Sequence, residues 1–345
     1  MRVGIVNDQR LATEALRRIV SSDPNHQVAW TAVDGCDAVQ KCQQDLPDVV
    51  LMDLVMPVMN GAEATREIMQ RTPCPVLVVT ATVSGNYALV CEALGHGAYD
   101  AVCTPTLGDR APQEAGANLL AKLKAVDRVR REKKAAPHAS QPSQTPRPPM
   151  PAPGKRDIPL IAIGASTGGP QALERILSSW PAGFPAAVIV VQHIAADFAA
   201  SLAQWLQERS KLKVRPAVHG DLLQPGTALV AATNDHLVMG GDRRLVYRAE
   251  PIASPYRPSV DALFASLVEN WPTPSVAVVL TGIGSDGAEG LLRLRQRGWH
   301  TISQDQESSV VWGMPQAAAE LGAARRILPL DHIADHIARH IARLV

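Results

Sequence analysis

Cysteines are few in this 345-residue sequence, and their arrangement excludes two common kinds of structure. They form no Cys-x-x-Cys pair, and their odd number argues against a disulfide framework or a zinc site. A reducing compartment is the natural setting for such a chain, so we predict a cytoplasmic location. The cysteines are Cys36, Cys42, Cys74, Cys91 and Cys103.

Long hydrophobic runs and a large net charge are also missing. The longest apolar stretches, around residues 76–79 and 188–191, are far too short to cross a bilayer. The first residues show no hydrophobic region of a signal peptide. The formal net charge of +1 gives no strong attraction to nucleic acid or to a membrane. We therefore predict no nucleic-acid partner and no membrane insertion.

One stretch of the chain is unusually rich in proline. Residues 137–159 hold eight prolines, with Ser, Gln and Ala between them. Such a segment cannot bury a core, so we expect an extended, semi-rigid spacer. The sequence therefore predicts one domain over 1–125, a linker over 126–156 and a second domain over 157–345.

The first predicted domain alternates short apolar strands with helical patterns. Strands are predicted at residues 2–6, 49–52 and 76–79 and from residue 101, and a helix face at residues 11–19. Continuously apolar strands that alternate with helices are typical of a parallel, doubly wound sheet. We expect five strands in this sheet.

Three of these strands end in polar residues, namely Asp8, Asp53 and Thr80. Ligand chemistry in a parallel sheet takes place at the carboxyl ends of its strands. The carboxylates of Asp8 and Asp53 suit Mg²⁺, which prefers oxygen ligands. Asp53 could then act as a nucleophile and form an acyl phosphate, with the Thr80 hydroxyl close to the phosphoryl oxygens. The alternative is that Asp53 is an ordinary carboxylate at the end of a strand.

The second domain repeats the alternation of strands and helices. Strands are predicted at residues 160–163, 188–191, 228–230 and 276–280, and helices at 171–178, 198–209 and 288–297. Residues 228–248 also indicate antiparallel strands with a turn at 241–244. The prediction is a doubly wound α/β domain with an antiparallel hairpin.

A serine follows the first strand of this domain, in the spacing Gly164-x-Ser166-x-Gly168. Small residues let the backbone turn sharply, and a serine at a helix N-terminus lies where amides favour an oxyanion. The backbone N–H of Thr167 is the expected first donor. The spacing alone is weak, because many such turns bind phosphate or dinucleotides instead.

Two further strands end near residues that could complete a catalytic triad with Ser166. His193 ends the apolar run 188–192 and is a candidate base. Asp286 follows the strand 276–280 and its loop, and it is either the acid that orients the histidine or part of an Asp-Gly turn. The order Ser, His, Asp differs from the Ser, Asp, His order of α/β-hydrolases.

Both domains resemble known families. The run LMDLVMPVMNG at residues 51–61 resembles the phospho-acceptor segment of response-regulator receivers. The runs IGASTGGP, VVQH and LTGIGSDGAEG are similar to motifs of the CheB family of chemotaxis protein-glutamate methylesterases, as are RPSVD from residue 257 and GMP from residue 313. Within that family, the chain looks like the branch of Wsp-type surface-sensing systems.

The resemblance implies a flavodoxin-like receiver followed by a doubly wound methylesterase domain. It implies that Ser166, His193 and Asp286 hydrolyse glutamate methyl esters on a methyl-accepting chemotaxis-type receptor, and that receptor glutamine is a second substrate. The esterase would need no cofactor. The receiver would bind Mg²⁺ through Asp8 and Asp53, accept a phosphoryl group on Asp53 from a CheA-like histidine kinase, and use Thr80 as its switch. Phosphorylation would relieve a block of the esterase.

This sequence departs from the family pattern at three positions. Asn7 stands where receivers have an acidic residue, and Thr104 where they have a lysine, so the phosphorylation pocket lacks one anion and one cation. Ile283 stands at an oxyanion position that is usually methionine, although a backbone amide there survives the change. Ser259 and Asp261 could shape the cleft, but we favour a helix start with Pro258 in its first turn and Ser259 as its cap.

Two other functions remain open at this point. One is a serine hydrolase that acts on small esters. The other is a signalling module that binds a receptor or kinase with weak or no catalysis.

Overall fold

A computed structural model describes residues 1–80, 87–105, 116–127 without 118 and 125, and 158–345 without 195, 253 and 255. The chain forms two compact units, Met1–Ala139 and Ser140–Val345. The predicted linker lies outside the described residues apart from 126 and 127, so the two boundaries between the predicted segments stay a prediction. None of the helices in the described ranges has the length and hydrophobicity needed to cross a bilayer.

The N-terminal unit contains the predicted five-stranded parallel sheet, with strand order β2-β1-β3-β4-β5. Helices alternate with the strands along the chain. The elements are β1 (Arg2–Val6), α1 (Arg10–Ser21), β2 (Gln27–Ala32), α2 (Gly35–Gln44), β3 (Val49–Met52), α3 (Gly61–Arg71), β4 (Val76–Thr80), α4 (Tyr87–Gly95) and β5 (Asp100–Cys103).

Burial explains which strands the sequence reveals. Strands β3 and β4 are buried at every residue, and both read as continuous apolar runs. The edge strand β2 is mostly half-exposed and mixes polar with apolar residues, so its range was missed. Helix α3 begins next to Asp53, where a side chain on Gly61 would lie 1.9 Å from the Asp53 carbonyl oxygen. Asn60 and Glu63 form a capping box at the same end.

The C-terminal unit contains a seven-stranded sheet with order β15-β14-β13-β6-β7-β10-β8 and a three-stranded sheet with order β11-β12-β9. The first half of the unit consists of β6 (Leu160–Ala165), α5 (Gly169–Ser178), β7 (Ala187–Gln192), α6 (Ala196–Arg209), β8 (Lys213–Pro216), β9 (Asp221–Leu222), β10 (Thr227–Val230), β11 (His236–Met239) and β12 (Arg244–Arg248). The second half consists of α7 (Val260–Asn270), β13 (Val276–Val279), α8 (Ala288–Gln296), β14 (His300–Gln304), α9 (Met314–Glu320), β15 (Arg326–Leu328) and α10 (Leu330–Ile341).

The larger sheet is parallel throughout, and the hairpin of β11 and β12 is antiparallel. The predicted α/β fold with a hairpin is therefore confirmed. Strand β10 belongs to the parallel sheet, whereas the predicted pattern over 228–248 placed it among the antiparallel strands. Four of the five residues of β14 are polar and only Ile302 is apolar, which hid this strand from a search for apolar runs.

Candidate active site

The sheet order places three strand ends side by side in the C-terminal unit. Strand β6 lies between β13 and β7, and all three run in the same direction. Their carboxyl ends therefore meet at one edge of the sheet. Ser166 follows β6 directly, His193 follows β7 directly, and the loop after β13 leads to Asp286.

Ser166 lies in a tight turn between β6 and α5. Its backbone N–H donates to the Thr281 carbonyl at 3.0 Å, which joins the turn to the loop after β13. Gly168 caps α5 in the left-handed region with φ 77°, a conformation that glycine adopts without strain. The predicted strand-turn-helix geometry of a nucleophilic serine is therefore present.

His193 lies beside Ser166 because Ala165 of β6 pairs with Gln192 of β7. The next residues on these strands are Ser166 and His193, and the His193 N–H donates to the Ala165 carbonyl at 2.9 Å. No hydrogen bond joins the Ser166 hydroxyl to the His193 ring among the described residues. Catalytic hydrogen bonds are often long without substrate and shorten in the Michaelis complex.

Asp286 lies against the His193 ring and against the start of α7. Its Oδ2 is 2.7 Å from His193 Nε2 and accepts the Val260 N–H at 2.6 Å. Its Oδ1 accepts the Ser259 hydroxyl at 2.8 Å and the Asp261 N–H at 3.0 Å. Two donors therefore hold each carboxylate oxygen. With Nε2 facing Asp286, Nδ1 is the ring nitrogen free to accept the serine proton.

Electrostatics keep Asp286 ionised although it is buried. Burial acts to raise its pKa, but the hydrogen bond and charge of His193 and the amides of Asp261 and Val260 together lower this pKa below its ordinary value. The neighbouring Asp261 behaves differently, because burial and the nearby charge of Asp286 outweigh the Gly290 amide and raise the pKa of Asp261 to about 6.

Ser259 has both of the roles that the sequence left open. It is the N-cap of α7, where its side chain accepts the Ala262 N–H, and its hydroxyl donates to Asp286. The cap prediction is therefore correct, but Ser259 also touches Asp286, the predicted acid of the triad. Pro258 precedes the cap, so its predicted place in the first helical turn is wrong. Asp261 reaches α8 through the Gly290 N–H at 2.6 Å.

The two residues predicted as oxyanion donors are Thr167, which follows Ser166, and Ile283, which follows a residue that contacts Ser166. The Thr167 N–H follows the serine directly and donates to no described residue, and its buried hydroxyl is also without a partner there. Ile283 follows Gly282, which packs so closely that a side chain on it would lie 2.6 Å from Ser166 Cβ. The backbone at Gly282 therefore runs beside the serine, and the role of the Ile283 amide stays a prediction.

Polar residues also meet at the carboxyl edge of the N-terminal sheet. Asp53 is buried, and it accepts the Asn7 amide at 2.9 Å and the Leu54 N–H at 2.7 Å. Asp8 is exposed beside it, and Thr80 is fully buried at the end of β4. The Thr104 N–H donates to the Thr80 carbonyl at 2.9 Å. The predicted residues therefore share one edge.

The donor set at this edge is suited to Mg²⁺. Burial raises the pKa of Asp53, and the charge of Asp8 acts in the same direction against the amides of Leu54 and Val55. A bound cation would offset the repulsion between these two carboxylates. No described group of three or more His, Cys, Asp or Glu side chains forms a metal site. Mg²⁺ needs only one or two carboxylates, because it keeps several waters.

Comparison with family models identifies both units. Residues 161–337 match the model described as CheB methylesterase, and residues 3–110 match the response regulator receiver domain. The chain belongs to the CheB methylesterase family. The predicted family is therefore confirmed, while the Wsp-type branch stays a prediction.

Similar members of the CheB family match over nearly the whole chain. A protein-glutamate methylesterase/protein-glutamine glutaminase of Pseudomonas syringae pv. syringae is 49% identical, over 97% of each chain. One of Burkholderia lata is 50% identical, also over 97% of each chain. The crystal structure of the Thermotoga maritima CheB methylesterase catalytic domain is 33% identical with a TM-score of 0.51, and the match covers 53% of this chain and 99% of that one.

One residue of this CheB-family site was missed by the sequence reasoning. The Tyr256 ring stacks on His193 with centroids 4.8 Å apart and planes at 11°. It limits the movement of the imidazole and covers one of its faces. A tyrosine just before the RPSVD run is a weak signal, in a chain with four tyrosines in all.

Proposed function

We propose that this protein hydrolyses glutamate methyl esters on a chemotaxis-type receptor and deamidates receptor glutamine. The single observation that carries the proposal is the hydrogen bond between His193 and Asp286 at the strand end next to Ser166. The printed names of the relatives supply the substrate class. A cytoplasmic location fits this role.

The side chains of the site can carry out both halves of the reaction. Ser166 Oγ attacks the ester carbonyl while His193 Nδ1 takes its proton, and the Thr167 amide stabilises the oxyanion. Asp286 holds the imidazole in the reactive tautomer and stabilises its charged form. His193 then gives the proton to the departing methanol. A water, activated by the same histidine, hydrolyses the acyl-enzyme and restores the serine.

A comparison of two substrates tests this proposal. Methanol release from a methylated receptor is expected to exceed hydrolysis of a short-chain ester at equal concentration, because binding energy from the receptor positions the ester at Ser166. A control receptor without methyl groups reports the background. Hydrolysis of the short-chain ester with none of the receptor would identify a general esterase, and no hydrolysis of either would identify a binding module.

The N-terminal unit is proposed to regulate this reaction. Asp53 would accept the phosphoryl group from a CheA-like histidine kinase, and Asp8 with Asp53 would hold Mg²⁺, whose charge offsets that of the phosphate. The Asn7 amide already bonds Asp53, and it replaces a carboxylate that would add negative charge. Thr104 brings no ammonium to the pocket, so we expect only a small rise in the esterase rate on phosphorylation.

Replacing Asp53 tests the phospho-acceptor directly. Asp53→Ala is expected to abolish phosphate incorporation, since no acyl phosphate can form without the carboxylate. Incorporation of labelled phosphate from a histidine kinase or a small acyl phosphate is the measurement. Asp45→Ala, which removes an exposed carboxylate paired with Arg2, is the matched control and should label like the parent. Equal labelling of both variants would place the phosphoryl group elsewhere.

A further inference from the structure

A cluster of basic side chains lies at the edge of the large sheet opposite the active site. His300 begins β14 and Arg326 begins β15, whereas the catalytic residues follow the carboxyl ends of strands in the same parallel sheet. His336, Arg339 and His340 lie on α10, and Arg343 follows that helix. Nothing in the esterase reaction uses these residues.

These six residues line a cavity of about 370 Å³. The volume falls within the roughly 300–1,000 Å³ of small-molecule sites. Every lining residue is a histidine or an arginine, and no described carboxylate lines the cavity. The cavity is partly open to solvent, and its three arginines are exposed side chains whose donors a ligand from solution can reach.

The side chains of the three arginines of the cavity have no protein partner in the described ranges. The guanidinium groups of Arg326, Arg339 and Arg343 take part in no ion pair or hydrogen bond there, although the Arg343 backbone N–H donates to the His340 carbonyl. Some other arginines of this unit are paired, as in Arg175–Asp331 and Arg215–Asp221. A guanidinium presents its donors in a fixed fork that matches carboxylate and phosphate oxygens. Three unpaired guanidinium groups around one cavity therefore favour an oxyanion as the ligand.

The histidines of the cavity pack against one another. The Nε2 atoms of His300 and His336 are 2.8 Å apart, so one ring must donate and the other accept a hydrogen bond. The His300 ring also stacks on His340 with centroids 4.2 Å apart. An incoming anion would find N–H donors and the edges of aromatic rings in the same cavity.

The pKa values of two of these rings lie below the ordinary value of histidine, first because the rings are buried and then because cationic groups surround them. Burial, followed by the charges of His340, His336, Arg325 and Arg326, lowers the pKa of His300 to about 3. Burial, followed by Arg326, Arg339 and Arg343, lowers the pKa of His336. An anion bound among these groups would oppose this effect and let the imidazoles take up protons.

We propose that this cavity binds a phosphate-bearing small molecule, with the phosphate oxygens held by Arg326, Arg339 and Arg343 and by imidazole N–H groups. Histidines four residues apart on a helix, such as His336 and His340, are also a metal-binding pattern. Three arginines that line the same cavity repel a divalent cation, and so the anion is the favoured ligand.

Calorimetric titration of the intact protein with inorganic pyrophosphate tests the proposal at constant ionic strength. Saturable binding is expected, and Arg339→Gln should weaken it about tenfold, the loss typical of one charge-assisted hydrogen bond. Arg293→Gln is the matched control, because it removes an exposed arginine from α8, outside the cavity. The control should bind like the parent. Equal weakening by both variants, or no saturation, would refute the site.

Three further titrations extend the test. ADP that binds tighter than pyrophosphate would identify a nucleotide, and equal affinities would identify the diphosphate group alone. Sulfate keeps its charge between about pH 7 and 4, and its affinity should rise as the pH falls through this range towards the lowered pKa values of His300 and His336, because a bound anion raises both. Zn²⁺ binding that pyrophosphate fails to displace and that His336→Gln abolishes would instead overturn the proposal.

Discussion

Ser166→Ala is expected to reduce methanol release from a methylated receptor by about 10⁵–10⁶-fold, the loss seen when a triad loses its nucleophile. Alanine leaves no oxygen to form the acyl-enzyme at the turn between β6 and α5. The residual rate would come from the Thr167 amide and from substrate binding. Initial rates of methanol release under saturating receptor are the measurement.

A serine at the last residue of α5 provides the control. Ser178→Ala removes a hydroxyl at the far end of α5, where it bonds only the Arg175 carbonyl. This variant should keep the parent rate. Unchanged circular dichroism in Ser166→Ala would separate loss of chemistry from loss of fold. A Ser166→Ala protein with most of the parent rate would exclude Ser166 as the nucleophile.

Asp286→Asn is expected to lower kcat by about 10⁴-fold, as in triads whose aspartate becomes an amide. Both oxygens of Asp286 accept two hydrogen bonds each, from the Ser259 hydroxyl and the Asp261 N–H on one side and from His193 and the Val260 N–H on the other. The NH₂ group of an asparagine donates hydrogen bonds, and whichever way the amide is turned, this group would face other donors instead of acceptors. The imidazole loses its reactive tautomer as a result.

The pH profile of this variant gives a second readout. Because the pKa of Asp286 lies below its ordinary value, the parent carboxylate stays charged throughout the neutral range. The loss in Asp286→Asn should therefore be present across that range rather than only at acid pH. A loss confined to acid pH would mean that Asp286 does not orient His193.

Ser259→Ala serves as a graded comparison with Asp286→Asn. It removes one of the four hydrogen bonds to Asp286, so we expect a loss in kcat of about tenfold, far smaller than for Asp286→Asn. Loss of the α7 cap should also lower stability by about 1 kcal/mol, which thermal unfolding measures. Equal kcat in parent and variant would reduce Ser259 to a cap alone.

The sequence determined the features that depend on local patterns. The buried strands β1, β3, β6 and β7 read as apolar runs, because each is covered on both faces by the core. The turn around Ser166 follows from small residues between a strand and a helix. The same apolar runs also predicted which polar residues belong to sites, such as Asp53 and His193 at the ends of two strands. Ligands of parallel sheets bind at the carboxyl ends of the strands.

Only the tertiary structure decided which distant segments meet. The order β13-β6-β7 brings Asp286 to His193, and nothing in the local sequence specifies that order, because it depends on packing over the whole sheet. The contact of Ser259 with Asp286, the stacking of Tyr256 on His193 and the basic cavity around His300 are equally non-local. Edge strands such as β2 escaped sequence reasoning because partial exposure permits polar residues there. Composition and spacing therefore identify the chemistry of each residue, and long-range packing determines where that chemistry acts.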